Sequence, residues 1–89
     1  MKFLIHSPAG IQAEMDEVEA VRTILADGKP LTILPRHAPL MAEIGKEPIT
    51  ASRFGVEESF RVQNGVVIVA DDTIRVLTES MAEEEPSDV

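Results

Sequence analysis

From Ile49 to Thr78 the chain is a series of short β-favouring segments, some alternating apolar and polar residues with a period of two, punctuated by tight-turn pairs. Phe60 and Val62 alternate against Arg61 and Gln63. Phe54-Gly55 separates Ile49–Arg53 from Val56–Gln63, as in a half-buried hairpin. Asn64-Gly65 is a strong turn signal, Val66–Val69 is a β-branched run, and Asp71-Asp72-Thr73 turns it into a strand with Ile74, Val76 and Thr78 on one side. The last third therefore reads as antiparallel β.

The first half is less uniform. Lys2–Ile5 reads as a short strand closed by the breaker cluster Ser7-Pro8-Ala9-Gly10. From Ile11 to Ala26 the spacing of Val18, Val21 and Leu25, with Ala20 and Ile24, leans towards a helix, although alternation against Arg22 is also present. Asp27-Gly28-Lys29-Pro30 is a strong turn, because glycine accepts positive φ and proline blocks continuation. Further on, Pro35 and Pro39 forbid a regular helix and predict a structured loop.

With 89 residues, 44 % of them apolar, the chain has material for one small domain, expected over residues 1–80. There is no cysteine, so neither a disulfide framework nor a thiolate metal site is available. Sixteen acidic residues oppose eight basic ones and the only aromatics are Phe3, Phe54 and Phe60, which argues against a nucleic-acid partner. No apolar run approaches the roughly 20 residues of a membrane span, and Met1–His6 lacks the apolar continuation of a signal peptide, so a cytoplasmic start is expected. Residues 81–89 carry four acidic residues, no basic one and Pro86, and read as a short disordered acidic tail.

Catalytic groups are hard to assemble from this inventory. His6 and His37 are 31 residues apart without a second histidine near either, so a metal site would need carboxylates from distant strands. Ser7, Ser52, Ser59 and Ser80 sit in no nucleophile elbow. Glu57-Glu58 and Asp71-Asp72 are adjacent pairs whose side chains on a strand would point to opposite faces, so they read as solvated turns and edges. No glycine-rich phosphate loop opens a helix. The chain alone reads as non-catalytic, with no cofactor and no metal.

One constellation is far more specific: Leu31-Thr-Ile-Leu-Pro-Arg-His-Ala-Pro-Leu-Met41, followed by Asn64-Gly-Val-Val-Ile-Val69 and Ile74-Arg-Val-Leu-Thr78. It resembles the amino-terminal β-sandwich domain of the F-type ATP synthase epsilon subunit (delta in mitochondria), over about residues 2–82. Ile33, Leu34, Pro35, His37, Ala38, Pro39 and Leu40 match that family's first motif, Gly65 and Val69 its second, and Val76 and Leu77 its third. Arg36 stands where the family usually has glycine, which weighs against a positive-φ backbone there. Glu47 replaces a common turn glycine, and Gly28-Lys29-Pro30 departs from the usual approach to the first motif. The resemblance is expected to cover the sandwich without the family's carboxy-terminal helical hairpin.

The resemblance implies an all-β, flattened antiparallel sandwich of two sheets, with about eight to ten short strands. It makes Glu17–Leu25 a strand and proposes Val18, Ile24, Ile33, Leu34, Phe60, Val62, Val67, Val69, Ile74 and Val76 as core. It also implies a non-catalytic rotor subunit that clamps the gamma subunit foot to the membrane c-ring and couples ion translocation to ATP synthesis or hydrolysis. Nucleotide binding and helical autoinhibition are not expected. The implied location is peripheral, on the cytoplasmic face of the inner (plasma) membrane. By similarity Gly28, Lys29, Pro30, Arg36 and His37 are candidate c-ring or gamma interface residues, with the Gly28 turn and the His37 loop both at the ring-facing end. Pro35, Ala38, Pro39, Leu40 and Gly65 shape loops. His37 could bond a polar group of the ring or a carbonyl of its own loop, and Arg36 could meet a carboxylate or stay in solvent. Two other readings stay open: a free-standing adaptor or small-ligand binding module, and an enzyme using His37 with Glu43 or Asp27.

Overall fold

Period-two patterning and closely spaced turns build the whole molecule. The computed structural model describes residues 1–81, so the expectation of a disordered tail falls almost entirely outside the described residues. The strands are β1 (Lys2–Ser7), β2 (Gly10–Met15), β3 (Ala20–Ile24), β4 (Pro30–Ile33), β5 (Leu40–Glu43), β6 (Ile49–Arg53), β7 (Val56–Phe60), β8 (Val62–Gln63), β9 (Val66–Ala70), β10 (Thr73–Leu77) and β11 (Ser80–Met81). They form a five-stranded sheet ordered β2-β1-β10-β9-β5, a four-stranded sheet ordered β4-β3-β6-β7, and a short β11-β8 pair. The segment whose spacing leaned towards a helix is strand β2, a loop and strand β3. Tertiary pairing of β3 with both β4 and β6 outweighs the local pattern.

Two tight hairpins follow the expected turn chemistry. Asp71 and Asp72 (φ 52° and 56°) join β9 to β10, while Phe54 and Gly55 (φ 51° and 74°) join β6 to β7. Paired positive φ values match the right-handed twist of the flanking strands. Asn64-Gly65 also turns the chain, but its two flanks do not pair with each other. β8 pairs with β11, and β9 with β10 and β5. The β1–β10 ladder is parallel, with Phe3 opposite Ile74 and Ile5 opposite Val76. Parallel neighbours cannot be joined by a hairpin, so no local signal announces that pairing.

Between the two main sheets lie Phe3, Ile5, Ile33, Ile49, Ile74, Val18, Val21, Val67 and Val76, all essentially excluded from solvent. Each such side chain contributes about 1.5–3 kcal/mol by leaving water. Phe60 packs on this cluster from the margin, its ring 5.7 Å from that of Phe3. Two expected core residues are not there. Leu34 is 54 % exposed, because Ile33 takes the inward position of β4 and the next side chain must point away. Ile24 is only half-buried, because Val21 and Thr23 face inward on β3. The buried Val18 and Val21 are three residues apart, an odd step, so counting forward in twos from Val18 selects the wrong face of β3.

Candidate functional site

The strands run between two ends of the sandwich, and the candidate interface residues divide between them. At one end, Leu25 to Lys29 form a self-contained turn. Gly28 N–H donates to Leu25 C=O at 2.9 Å and Leu25 N–H to Lys29 C=O at 2.8 Å, while the Asp27 carboxylate accepts Lys29 N–H at 3.0 Å. Gly28 has φ 89° and open space where a Cβ would sit, so the backbone angle, not crowding, calls for glycine. Gly28, Lys29 and Pro30 are exposed.

The two sheets are stitched together at this end. Ala26 N–H donates to Glu43 C=O at 3.0 Å, and Gly45 N–H to Ile24 C=O at 2.8 Å. A Cβ on Gly45 would lie 2.9 Å from Leu25 O, so only glycine allows that approach. The buried Gly65 receives Ile44 N–H on its carbonyl at 2.9 Å. An open groove of about 900 Å³ results, floored by Ile44, Gly45 and Gly65 and walled by Leu25, Val62 and Val66. None of the candidate interface motifs points to this groove; its one trace in the sequence is the turn signal of Gly45 and Pro48.

At the other end of β4, roughly 10–13 Å away for a four-residue strand, Leu34-Pro35-Arg36-His37 makes a turn closed by His37 N–H to Leu34 C=O at 3.1 Å. Pro35 occupies the position that favours a fixed negative φ, and Arg36 follows with φ 66°. The positive φ that arginine weighed against is therefore present. It is held because Arg36 N–H donates to the Asp72 carboxylate at 2.9 Å. The same carboxylate lies 3.8 Å from the Met1 ammonium, which donates to Val18 C=O. Asp72 is the solvated turn residue expected, half exposed, and it also ties three segments together.

His37 satisfies its own loop. Its Nδ1 lies 2.7 Å from Ala38 O, and since a carbonyl only accepts, that nitrogen carries the proton. Pro35, Ala38 and Pro39 are exposed around it, and Leu40 leads into β5. The fold thus does not bring Gly28, Lys29 and Pro30 to the end that carries Arg36 and His37, contrary to the shared ring-facing end expected. Nor does it collect the pairs an enzyme would need: His37 precedes β5, Glu43 closes the far end of β5, and Asp27 lies in the opposite turn. His6, near the far end of β1, is likewise remote from His37.

Between the ends, the outward face of the five-stranded sheet aligns His6, Leu77 and Val66 in one row and Leu4, Arg75, Ile68 and Met41 in the next. Met41 is 72 % and Leu77 42 % exposed while Leu4 is buried, so apolar side chains lie open on part of this face, beside the exposed Arg75.

Comparison with known proteins places this arrangement. The family described as ATP synthase, Delta/Epsilon chain, beta-sandwich domain matches residues 1–84. The chain belongs to that family. No curated protein matches it in sequence comparison. Among solved structures, a chain in the cryo-EM structure of the Tetrahymena thermophila mitochondrial ATP synthase central stalk/c-ring superposes with a TM-score of 0.75 at 18 % identity, covering 99 % of this delta/epsilon-type chain and 71 % of that one. A chain in the Euglena gracilis mitochondrial ATP synthase OSCP/F1/c-ring structure gives 0.78 at 12 % identity, covering 90 % of this chain and 51 % of that one. This delta/epsilon-type chain therefore spans about half the length of the second neighbour. At these identities the likeness is one of fold.

Proposed function

We propose that this chain is a non-catalytic central-stalk subunit of a rotary F-type ATP synthase or ATPase. It holds a gamma-type stalk chain against the membrane c-ring, so that ion flow and ATP synthesis or hydrolysis stay coupled. The observation that carries the proposal is the family match across nearly the whole sandwich. The open face of Met41, Ile68 and Leu77 supports it, since an exposed apolar sheet face is what a permanent partner covers. In this reading that face meets the gamma-type chain. The Gly28–Pro30 turn and its groove meet polar loops of the ring, and Arg36 and His37 at the opposite end are contacts to the stalk. Association with the membrane, on the cytoplasmic side, is then peripheral and indirect.

The rigid stitching of both sheets at the Gly28 end supports a clamp that transmits torque without bending. We further propose that the sandwich by itself couples rotation without suppressing hydrolysis. A tagged protein recovered from detergent-solubilised membranes should bring gamma, alpha, beta and c subunits, identified by mass spectrometry. Recovery of none of them with a folded protein would favour the adaptor reading. Strong suppression of hydrolysis by the reconstituted sandwich would overturn the second part alone.

A further inference from the structure

The register of the β6–β7 hairpin leaves one stretch of core-facing surface uncovered. Ile49 pairs with Phe60, Ala51 with Glu58 and Arg53 with Val56, and cross-strand partners share a face. Phe60 reaches Phe3 in the core, so Glu58, Val56 and Arg53 belong to the same inward face. Yet Val56 is 62 % exposed, and beside it Phe54 is 69 % exposed. The sheets diverge here and leave an open notch of about 230 Å³ lined by Met15, Arg53, Phe54, Val56 and Glu58.

Two further observations concern the same place. Phe54, one of only three aromatic residues, takes φ 51° in a turn position that asparagine, aspartate or glycine fills without strain. Backbone strain of this kind persists where a side chain serves something besides the fold. The Arg53 guanidinium lies 6.0 Å from the centre of the Phe54 ring and also donates to Asp16 C=O, which fixes the tip against the β2–β3 loop. That loop carries Asp16, Glu17 and Glu19; among the described residues none of these, nor Glu58, forms an ion pair.

We propose that this notch docks a lysine- or arginine-rich segment of a protein partner, which inserts an apolar side chain between Met15, Phe54 and Val56 and sets its cations against Glu58 and the Asp16–Glu19 loop. The charge pattern selects this occupant. A second copy of the chain would bring net charge −8 to an acidic rim, and residues 81–89 carry four acids and no base. An exposed phenylalanine beside a half-buried arginine, at an uncovered apolar patch, has the composition of a binding hot spot. Strand addition along β7 is disfavoured by Glu57 and Glu58, which charge both faces of that edge.

The proposal rests on the stalk reading only for where the partner is sought. In the assembled complex, p-benzoylphenylalanine is introduced in place of Phe54 or, separately, of Met41, irradiated, and the adducts are mapped by mass spectrometry. An adduct from position 54 on a basic segment of another subunit is the expected result. Adducts from position 41 alone would overturn the notch and leave the stalk reading standing; adducts from neither would overturn both. Attachment from position 54 to a second copy of this chain, or to an acidic segment, would also overturn it. Phe54→Asn should leave the isolated protein folded, with an unchanged or higher unfolding midpoint, and weaken its retention in the complex at least tenfold. Retention unchanged by that variant would count equally against the proposal.

Discussion

The two turns that bracket β4 reverse the chain by opposite means. The Leu25–Lys29 turn is closed by bonds among its own five residues, with glycine in the left-handed position, although Ala26 N–H also reaches Glu43 C=O. The Leu34–His37 turn puts arginine in that position and is fastened by Asp72, 36 residues away in the β9–β10 hairpin. The first turn sets its left-handed residue by local bonds alone. The second needs the sandwich to be folded already, so it reports on the core behind it.

Breaking the strand they share should have the largest effect. Ile33 is fully buried on β4, and Ile33→Ala should cost about 3–4 kcal/mol in urea unfolding, through lost transfer energy and the cavity left behind. A cost near 1 kcal/mol would mean that β4 frays and that the turns are not rigidly linked through it. Next comes the tertiary fastening. Asp72→Gly keeps the positive φ without strain but removes the acceptor for Arg36 N–H. Since the carboxylate is half exposed, the loss should be about 1.5–2 kcal/mol, the lower part of the range for a hydrogen bond to a charged group. Hydrogen exchange of the Arg36 amide should rise in the same variant while that of Gly28 stays put.

This asymmetry also explains which parts of the molecule were legible in the sequence. Turns closed by neighbouring residues could be read directly: Asp27-Gly28 and Asp71-Asp72 turn where their residue types place them, and the β6–β7 turn is marked by Gly55. So could the inward set Val67, Val69, Ile74 and Val76, where a hairpin fixes the phase. Features decided by distant segments could not. The parallel β1–β10 ladder joins residues about seventy positions apart, with no local signature. The inward phase of β3 is hidden because Val18, buried just before the strand, is out of step with the inward Val21 and Thr23. The candidate interface residues were found through a motif, which orders residues along the chain but does not say that Gly28 and His37 would stand at opposite ends of a strand. The notch arises where the sheets part and the groove where they are stitched together, both properties of the assembled fold.

A smaller effect is expected from the self-contained turn. Gly28→Ala places a methyl group in open space, so the whole cost is that of left-handed backbone, about 1 kcal/mol. Thermal unfolding would check it, and amides beyond residues 25–30 should keep their protection. Loss of protection at Arg36 would show the two ends to be coupled after all.

The smallest effect is the most informative. Arg36→Gly relieves the left-handed conformation but gives the unfolded chain more freedom, so the net gain in stability should be only about 0.5 kcal/mol. Its value lies in being measured twice, in the natural chain and with Asp72→Gly. If the Asp72 carboxylate is what holds Arg36 at positive φ, removing it lets the arginine relax, and the gain from glycine falls to zero or below. Should the gain be identical in both backgrounds, Pro35 and the Leu34–His37 bond alone set the angle. The turn at this end would then be as self-sufficient as the one around Gly28, and its departure from glycine would need a cause outside the sandwich, such as a partner's carboxylate meeting the Arg36 side chain.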